Sequence, residues 1–292
     1  MIDSSTFTLV NPQNGNLAFK LFSFEGNPCF DYIQRLNYYT LIWIKSGGGK
    51  VKVDFSEYDF IENQLLAFAP YQPFMLTENV PLKGVVIHFH PDFFCIMKHH
   101  QEVACNGVLF NTIYEPPYVS LNEASQRTLE MVLEQMKTEM QNPALAQYEL
   151  LISYLKIVLI TASRLKKEQQ SQLLEMSSDK EPFVLQNLKT FIELHFKTKH
   201  SPSDYASLLH ITPKALAKIT KRHFNKTLSN LISERIIIEA KRELYLTNKS
   251  VKEIAYELGY DDEHYFSRFF KNNAEVSPQM YRDTVGFARA MN

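Results

Sequence analysis

Towards the C-terminal end of the chain, Glu263, His264, Ser267, Arg268 and Lys271 recur at the spacing of one helix face, opposite Phe266, Phe269 and Phe270. A narrow row of donors and acceptors backed by aromatic rings is suited to reading base edges. The major groove admits one helix and presents a different hydrogen-bonding pattern for each base pair. Upstream, Lys214, Ala217, Lys218 and Lys221 form a second such face, with Leu216 and Ile219 turned inward. Its chemistry is simpler: lysines pair with phosphates, and the Ala217 methyl can touch a thymine but makes no hydrogen bond. Two other groups of reactive side chains offer less. His88 and His90 share a strand face without a third ligand to complete a metal site. Cys29, Cys95 and Cys105 match neither a disulfide framework nor a CxxC site, which predicts reduced, buried thiols.

The polar faces must be held by helices, and the local signals for those helices are strong. Val251, Ile254, Ala255 and Leu258 make the inner stripe of a short helix, Gly259 allows a left-handed turn, and Asp261 or Asp262 can cap the helix that follows. This is a helix, a tight turn and a second helix. The plan repeats upstream: a short helix from Ser203 to Leu209, the turn His210-Ile211-Thr212, then a helix from Pro213 to Phe224. Between the two runs a long helix, Leu228 to Leu246, able to hold the outer faces at a fixed separation. At about 34 Å, one turn of B-DNA, both would enter successive major grooves on one side of a duplex. Thr212-Pro213 and Ser277-Pro278 each pair an N-cap with an N1 proline, and with Gly259 they divide residues 182–292 into about seven helices.

The earlier part of the chain has another period. Tyr39 to Lys45, the turn Ser46 to Gly49, and Val51 to Phe55 read as strand, turn, strand. Further short runs follow at Tyr58 to Ile61, Leu65 to Phe68, Phe74 to Thr77 and Lys83 to His90, separated by Glu62-Asn63, Pro70 to Pro73 and Asn79 to Pro81. Many short strands with no long helix between them predict a sandwich or barrel. From Asn122 the period becomes helical through Leu129, Val132, Leu133, Met136 and Met140, and a second helix is expected from Pro143. In that second helix Leu150, Leu151, Tyr154, Leu155, Val158 and Leu159 are flanked by Ile152, Ile157 and Ile160. So wide an apolar stripe predicts burial on more than one side, capping the barrel and offering a face for self-association into a homodimer. Lys166 to Glu181 is polar and reads as a linker.

At 292 residues the chain is too long for one ordinary core and suits two. Hydrophobic residues at 45% and charged residues at 22% argue against disorder as the overall state. No apolar run approaches a membrane span, so no membrane partner is expected. The first residues, Met1 to Ser5, carry no secretory pattern, which predicts a cytoplasmic location. The net charge of −1 conceals an asymmetry: residues 182–292 hold 17 Lys and Arg against 12 Asp and Glu, and residues 1–181 hold 14 against 20. A mildly basic C-terminal part permits a polyanion partner.

The run from Arg235 to Arg282 contains, in order, Ala-x-x-x-Leu, Ile-Ala-x-x-x-Gly-Tyr, Tyr-Phe-Ser-Arg-x-Phe-Lys and Ser-Pro-x-x-Tyr-Arg. In these pieces the chain resembles the AraC/XylS family of bacterial transcription regulators. The resemblance covers about 110 residues strongly, and Trp43 to Phe89 is more loosely similar to the cupin-like sensor of these regulators. It implies a multidomain α+β protein. Residues 1–120 would form a cupin-like effector-sensing β-barrel, 121–168 a helical hairpin for dimerisation, 169–181 a linker, and 182–292 an all-α double helix-turn-helix domain that binds DNA.

Carried over by position, the base-reading roles fall on Lys214, Ala217 and Lys218 in the first unit and on Glu263, His264, Ser267 and Arg268 in the second. The first unit departs from the family pattern at three places: Thr220 replaces an apolar aromatic, His210 a small residue, and Asn225 a helix-closing glycine. It is therefore expected to lean on lysine-phosphate contacts, with Arg268 the foremost base contact.

The resemblance also implies a small-molecule effector held by Phe74, Leu76, Val86 and His88, with Trp43. It implies an activator that touches RNA polymerase at promoter DNA. A cupin fold raises the alternative of a metalloenzyme with a DNA-binding appendage. However, Tyr38-Tyr39-Thr40 and Phe74 stand where metal-binding cupins carry ligands, so no metal, no cofactor and no enzymatic activity are expected. A further alternative is an effector-independent activator, whose sign would be a filled barrel.

Overall fold

The computed structural model describes residues 6–11, 15–26, 30–103, 108–176 and 183–285. They divide into two units, residues 1–112 with 116–170, and residues 113–115 with 171–292. Cys29 and Cys105 lie outside the described residues, and Cys95 is buried.

The first unit is built on one antiparallel sheet: β1 (Phe7–Val10), β2 (Leu17–Glu25), β3 (Tyr39–Val53), β4 (Ser56–Phe60), β5 (Gln64–Phe68), β6 (Phe74–Phe89) and β7 (Tyr118–Ser120). The spatial order is β1-β2-β6-β3-β5-β7, with β4 on the far part of β3. Two of these strands correct the sequence reading. Ser46 to Gly49 is not a turn, and Asn79 to Pro81 does not separate two strands. Both stretches lie within long strands, β3 and β6, that stay paired throughout their length, with register shifts between Ile44 and Gly49. The glycines serve close approach rather than reversal: a Cβ on Gly49 would lie 2.0 Å from the Thr77 carbonyl oxygen, and one on Gly47 2.3 Å from that of Pro81.

Beyond this bend the sheet curls back over itself. Ile42 and Ile44 from one arm of β3 share an apolar cluster with Val51 and Val53 from the other, together with Phe60, Leu66, Phe68, Phe74, Leu76 and Val86. Among the described residues β1 and β7 do not pair with each other, so the cupin-like barrel is a rolled sheet rather than a closed cylinder.

The outer face of the sheet is covered by a helical hairpin. A short α1 (His100–Val103) precedes α2 (Glu123–Gln141) and α3 (Gln147–Met176). The Asn122 side chain caps α2 by accepting from the Ser125 amide. Leu129, Leu133, Val158 and Leu159 pack on Leu41, Trp43, Leu65, Val85 and Ile87. Both faces of β3 are thus buried over Tyr39–Ile44, which hides period-two alternation there.

Two helix boundaries differ from expectation. Helix α3 starts four residues after Pro143, because Ala146 is left-handed with φ 61°. It also continues through residues 169–176 of the expected linker. That stretch is rich in Gln and Leu, with one Glu and one Met, good helix formers that need no apolar stripe to extend an existing helix. The rest of that linker, 177–181, lies outside the described residues.

The second unit holds α4 (Phe183–His195), α5 (Pro202–Leu208), α6 (Pro213–Phe224), α7 (Leu228–Leu246), α8 (Val251–Glu257), α9 (Glu263–Ala274) and α10 (Pro278–Val285). Helix α7 is its spine. Leu231, Ile232, Ile236, Ala240 and Leu244 are buried along it. Glu239 anchors a polar seam there, with Arg235 at 3.2 Å, Arg242 at 2.9 Å and Lys197 at 3.7 Å. Burial would push the Glu239 carboxyl up, but Arg235, Arg242 and Lys197 outweigh it and hold it below the usual range. Residues 113–115, expected with the barrel, are held in this unit by the Tyr114 side chain, described below.

Candidate nucleic-acid interface

Each polar face sits on a helix that its own sequence starts and stops. In the first pair, Ser201 and Asp204 form a capping box on α5. His210 then takes a left-handed conformation, φ 54°, and the Ile211 amide donates back to the Ala206 carbonyl at 3.1 Å. Thr212 caps α6 by accepting from the Ala215 amide, Pro213 fills the first turn, and Asn225 ends the helix left-handed.

The second pair repeats these steps. Ser250 and Glu253 box α8, Gly259 turns with φ 79°, and the Tyr260 amide donates to the Ala255 carbonyl at 2.9 Å. Of the two candidate caps for α9, Asp262 is the one used, accepting from the Tyr265 amide.

Lys214, Ala217, Lys218 and Lys221 are exposed on α6, while Leu216, Thr220 and Phe224 are buried. Thr220, polar where an aromatic is usual, satisfies its hydroxyl by donating to the Leu216 and Ala217 carbonyls, both at 3.1 Å. The Lys221 ammonium donates to the Asn225 carbonyl at 3.2 Å, which stations positive charge at the end of the helix.

On α9, His264, Arg268 and Lys271 are exposed, and Glu263 and Ser267 are half-buried. Phe266 and Phe270 are fully buried, whereas Phe269, expected inside, is half-buried against Tyr260. His264, Ser267, Arg268 and Lys271 line one open depression, together with Asp262 and Ser277. Glu263 lies outside that lining. Asp262 and Ser277 were readable in the sequence only as caps. Asp262 caps α9 and Ser277 caps α10, so their falling within one depression with the polar face of α9 depends on how α10 packs.

The five effector candidates do not come together. Phe74, Leu76 and Val86 face the sheet interior, where Phe74 stacks on Phe68 at 3.9 Å and meets Phe30 at 6.1 Å. His88 is buried, shares a hydrogen bond with the Thr40 hydroxyl at 3.0 Å, and lies 4.6 Å from the Tyr38 ring. Burial, with Lys20 adding to it, lowers the His88 pKa to about 3 and keeps the imidazole neutral.

Trp43 is one residue out of phase with Ile42 and Ile44, so it faces the hairpin instead. It borders a void of about 10 Å³ with Leu129, Leu133 and Val158, and its indole Nε1 meets no hydrogen-bond partner among the described residues. His90 accepts from the Asp92 amide through Nδ1, and among the described residues no three His, Cys, Asp or Glu converge as a metal site.

A helix-turn-helix domain model matches residues 205–284, from within α5 to the end of α10. The chain is 30% identical over 125 residues to an uncharacterised HTH-type transcriptional regulator of Pseudoalteromonas carrageenovora, a match covering 42% of this chain and 74% of that protein. It is 26% identical over 172 residues to the transcriptional activator RhaS of Salmonella arizonae, spanning 58% of each. Among solved structures it is similar to ToxT of Vibrio cholerae, with 18% identity, 92% of this chain and 98% of that one covered, and a TM-score of 0.41.

Proposed function

Because the chain belongs to the AraC/XylS family of transcription regulators, we propose that it regulates transcription by placing α6 and α9 in successive major grooves of one promoter duplex. The observation that carries this reading is the duplicated turn. His210 and Gly259 are left-handed at matching points before two capped helices whose polar faces are exposed. In this arrangement Lys214, Lys218 and Lys221 neutralise phosphates, Ala217 lies against a base, and Glu263, His264, Ser267 and Arg268 read base edges with Lys271 at the backbone. The relatives it matches are named as transcription regulators, which favours regulation over a cupin metalloenzyme. No helix among the described residues is long and apolar enough to cross a membrane, which is compatible with action on DNA in the cytoplasm.

The test is a pair of substitutions measured on a site selected from random DNA and on unrelated DNA. Arg268→Ala should cost about 1 to 3 kcal/mol on the selected site and narrow its advantage over random sequence. Lys221→Ala should weaken both DNAs alike and flatten the salt dependence by about one unit of slope. Equal losses on both DNAs for both variants would remove the assignment of reading to Arg268.

Met131, Leu150 and Ile157 are exposed on the hairpin, which supports the proposal that α2 and α3 carry a homodimer face. The sheet interior supports a second reading of the sensor. Phe68, Phe74, Leu76 and Val86 are almost fully buried against one another, so an effector entering beside Phe74 and His88 has to displace this packing, and a regulator that needs no effector is the alternative. Native mass spectrometry addresses both points. A dimer mass that Ile157→Glu converts to monomer is expected, and a stoichiometric small-molecule adduct would overturn the effector-free reading. Contact with RNA polymerase belongs to the proposal through the family alone.

A further inference from the structure

The second unit is not continuous in sequence: Ile113–Glu115 is part of it, far in the chain from α4 to α10. This segment is seated by specific chemistry. The Tyr114 ring lies 5.6 Å from the Phe224 ring, the last residue of α6, and the Lys189 ammonium of α4 covers both rings at 5.5 and 5.7 Å. The Tyr114 hydroxyl donates to Glu193 Oε1 at 3.3 Å, and Glu193 Oε2 accepts from Arg235 of α7 at 2.8 Å. Burial followed by Glu193 raises the Tyr114 phenol well above its ordinary pKa, so it stays a donor.

One residue earlier, the Ile113 carbonyl accepts at 3.2 Å from the Lys226 ammonium, which also pairs with Glu234 at 2.7 Å. Lys226 and Glu234 are both buried, and a buried ammonium needs each oxygen that faces it. Lys226 occupies the turn between Asn225, which ends α6, and Thr227, which caps α7.

The strap is also stiffened in advance. Asn111 is left-handed with φ 61°, and Glu115 is followed by Pro116 and Pro117. A residue before proline is confined to extended conformations, which reduces the entropy lost when the segment seats. Its partners lie on α4, at Lys189 and Glu193, and at the end of α6 and the turn into α7, at Phe224 and Lys226. The second unit's other turn helix, α9, receives none of these contacts.

We propose that Ile113–Glu115 is an internal peptide ligand of the first helix-turn-helix, seated between α4, α6 and α7, and that its seating fixes the end of α6 in the position that meets DNA. The functional half of this inference rests on the DNA-binding reading, while the structural half does not. Amide hydrogen exchange on the full chain tests the structural half. Tyr114→Ala should speed exchange of residues 221–231 by about tenfold or more, leave α8 and α9 unchanged, and be matched only weakly by Tyr114→Phe.

Footprinting tests the other half: the variant should lose protection of the half-site under α6 and keep that under α9. Unchanged exchange at 221–231 overturns the proposal whether or not the chain binds DNA, and equal loss of both half-sites overturns its link to α6. Should Tyr114→Ala melt the whole unit, Tyr114→Leu keeps bulk against Phe224 and must still loosen 221–231 alone. Uniform loosening in that variant also overturns the proposal.

Discussion

Replacing Gly259 by alanine should destabilise the second unit by about 3 kcal/mol or more, the sum of a strained left-handed residue and a collision. The residue has φ 79°, and a Cβ built there would lie 2.1 Å from the Lys197 carbonyl oxygen. The colliding atom is backbone, so no side-chain rotamer relieves it, and the turn between α8 and α9 must open. The melting temperature of this unit should fall on the order of 10 °C in calorimetry of the full chain. His210 provides the contrast at the equivalent turn between α5 and α6. It already bears the left-handed strain at φ 54°, so His210→Gly should be neutral or stabilising by up to about 1 kcal/mol. A Gly259→Ala protein that melts with the native one would contradict the tight α8-α9 turn, and with it the placement of Arg268.

Acid should weaken the first unit through His88 before most carboxylates titrate. Its folded pKa of about 3 lies below the ordinary value of 6.5, so the unfolded chain binds the extra proton in between. The stabilisation is therefore complete above pH 6.5 and declines as pH falls, by about 1.4 kcal/mol per unit, until it is exhausted near the folded pKa. The groups around the ring agree with a neutral imidazole: Lys20 repels a second positive charge, and Tyr38, itself pushed up by burial, offers no anion. Urea midpoints followed by Trp43 fluorescence should hold down to about pH 6.5 and drop steadily from there to about pH 5. His88→Gln, which keeps a polar partner for Thr40 but cannot titrate, should flatten that slope. Midpoints independent of pH over this interval in the native chain would show that His88 is not buried in its neutral form.

How much could be read in advance depended on the range of the forces involved. The two turns and their four helices followed from local signals: an N-cap with a proline beside it at Thr212-Pro213, a residue able to turn left-handed at Gly259, and apolar spacing along α6 and α9. These act within one or two helical turns, so a short window of sequence contains both partners. The strands were less legible. Ser46 to Gly49 and Asn79 to Pro81 have turn composition, yet they pair with each other, and a partner thirty residues away satisfied backbone groups that a local reading assigned to reversals. The family resemblance groups Trp43 with Phe74 and His88, but β3 is apolar on both faces, and only the register against β5 and β6 shows which face Trp43 occupies. The Tyr114 strap left no local signal beyond the prolines after it.

The sequence by itself determined the repeated helix-turn-helix and the side chains it presents, because capping, proline and left-handed turns are settled between near neighbours. Tertiary structure alone decided that Trp43 faces the hairpin while Phe74, Leu76 and Val86 face the sheet interior, and that Tyr114 completes the α4-α6-α7 corner. Those outcomes depend on pairing and burial between residues far apart in the chain, where many partners are chemically equivalent and only the packed fold selects one.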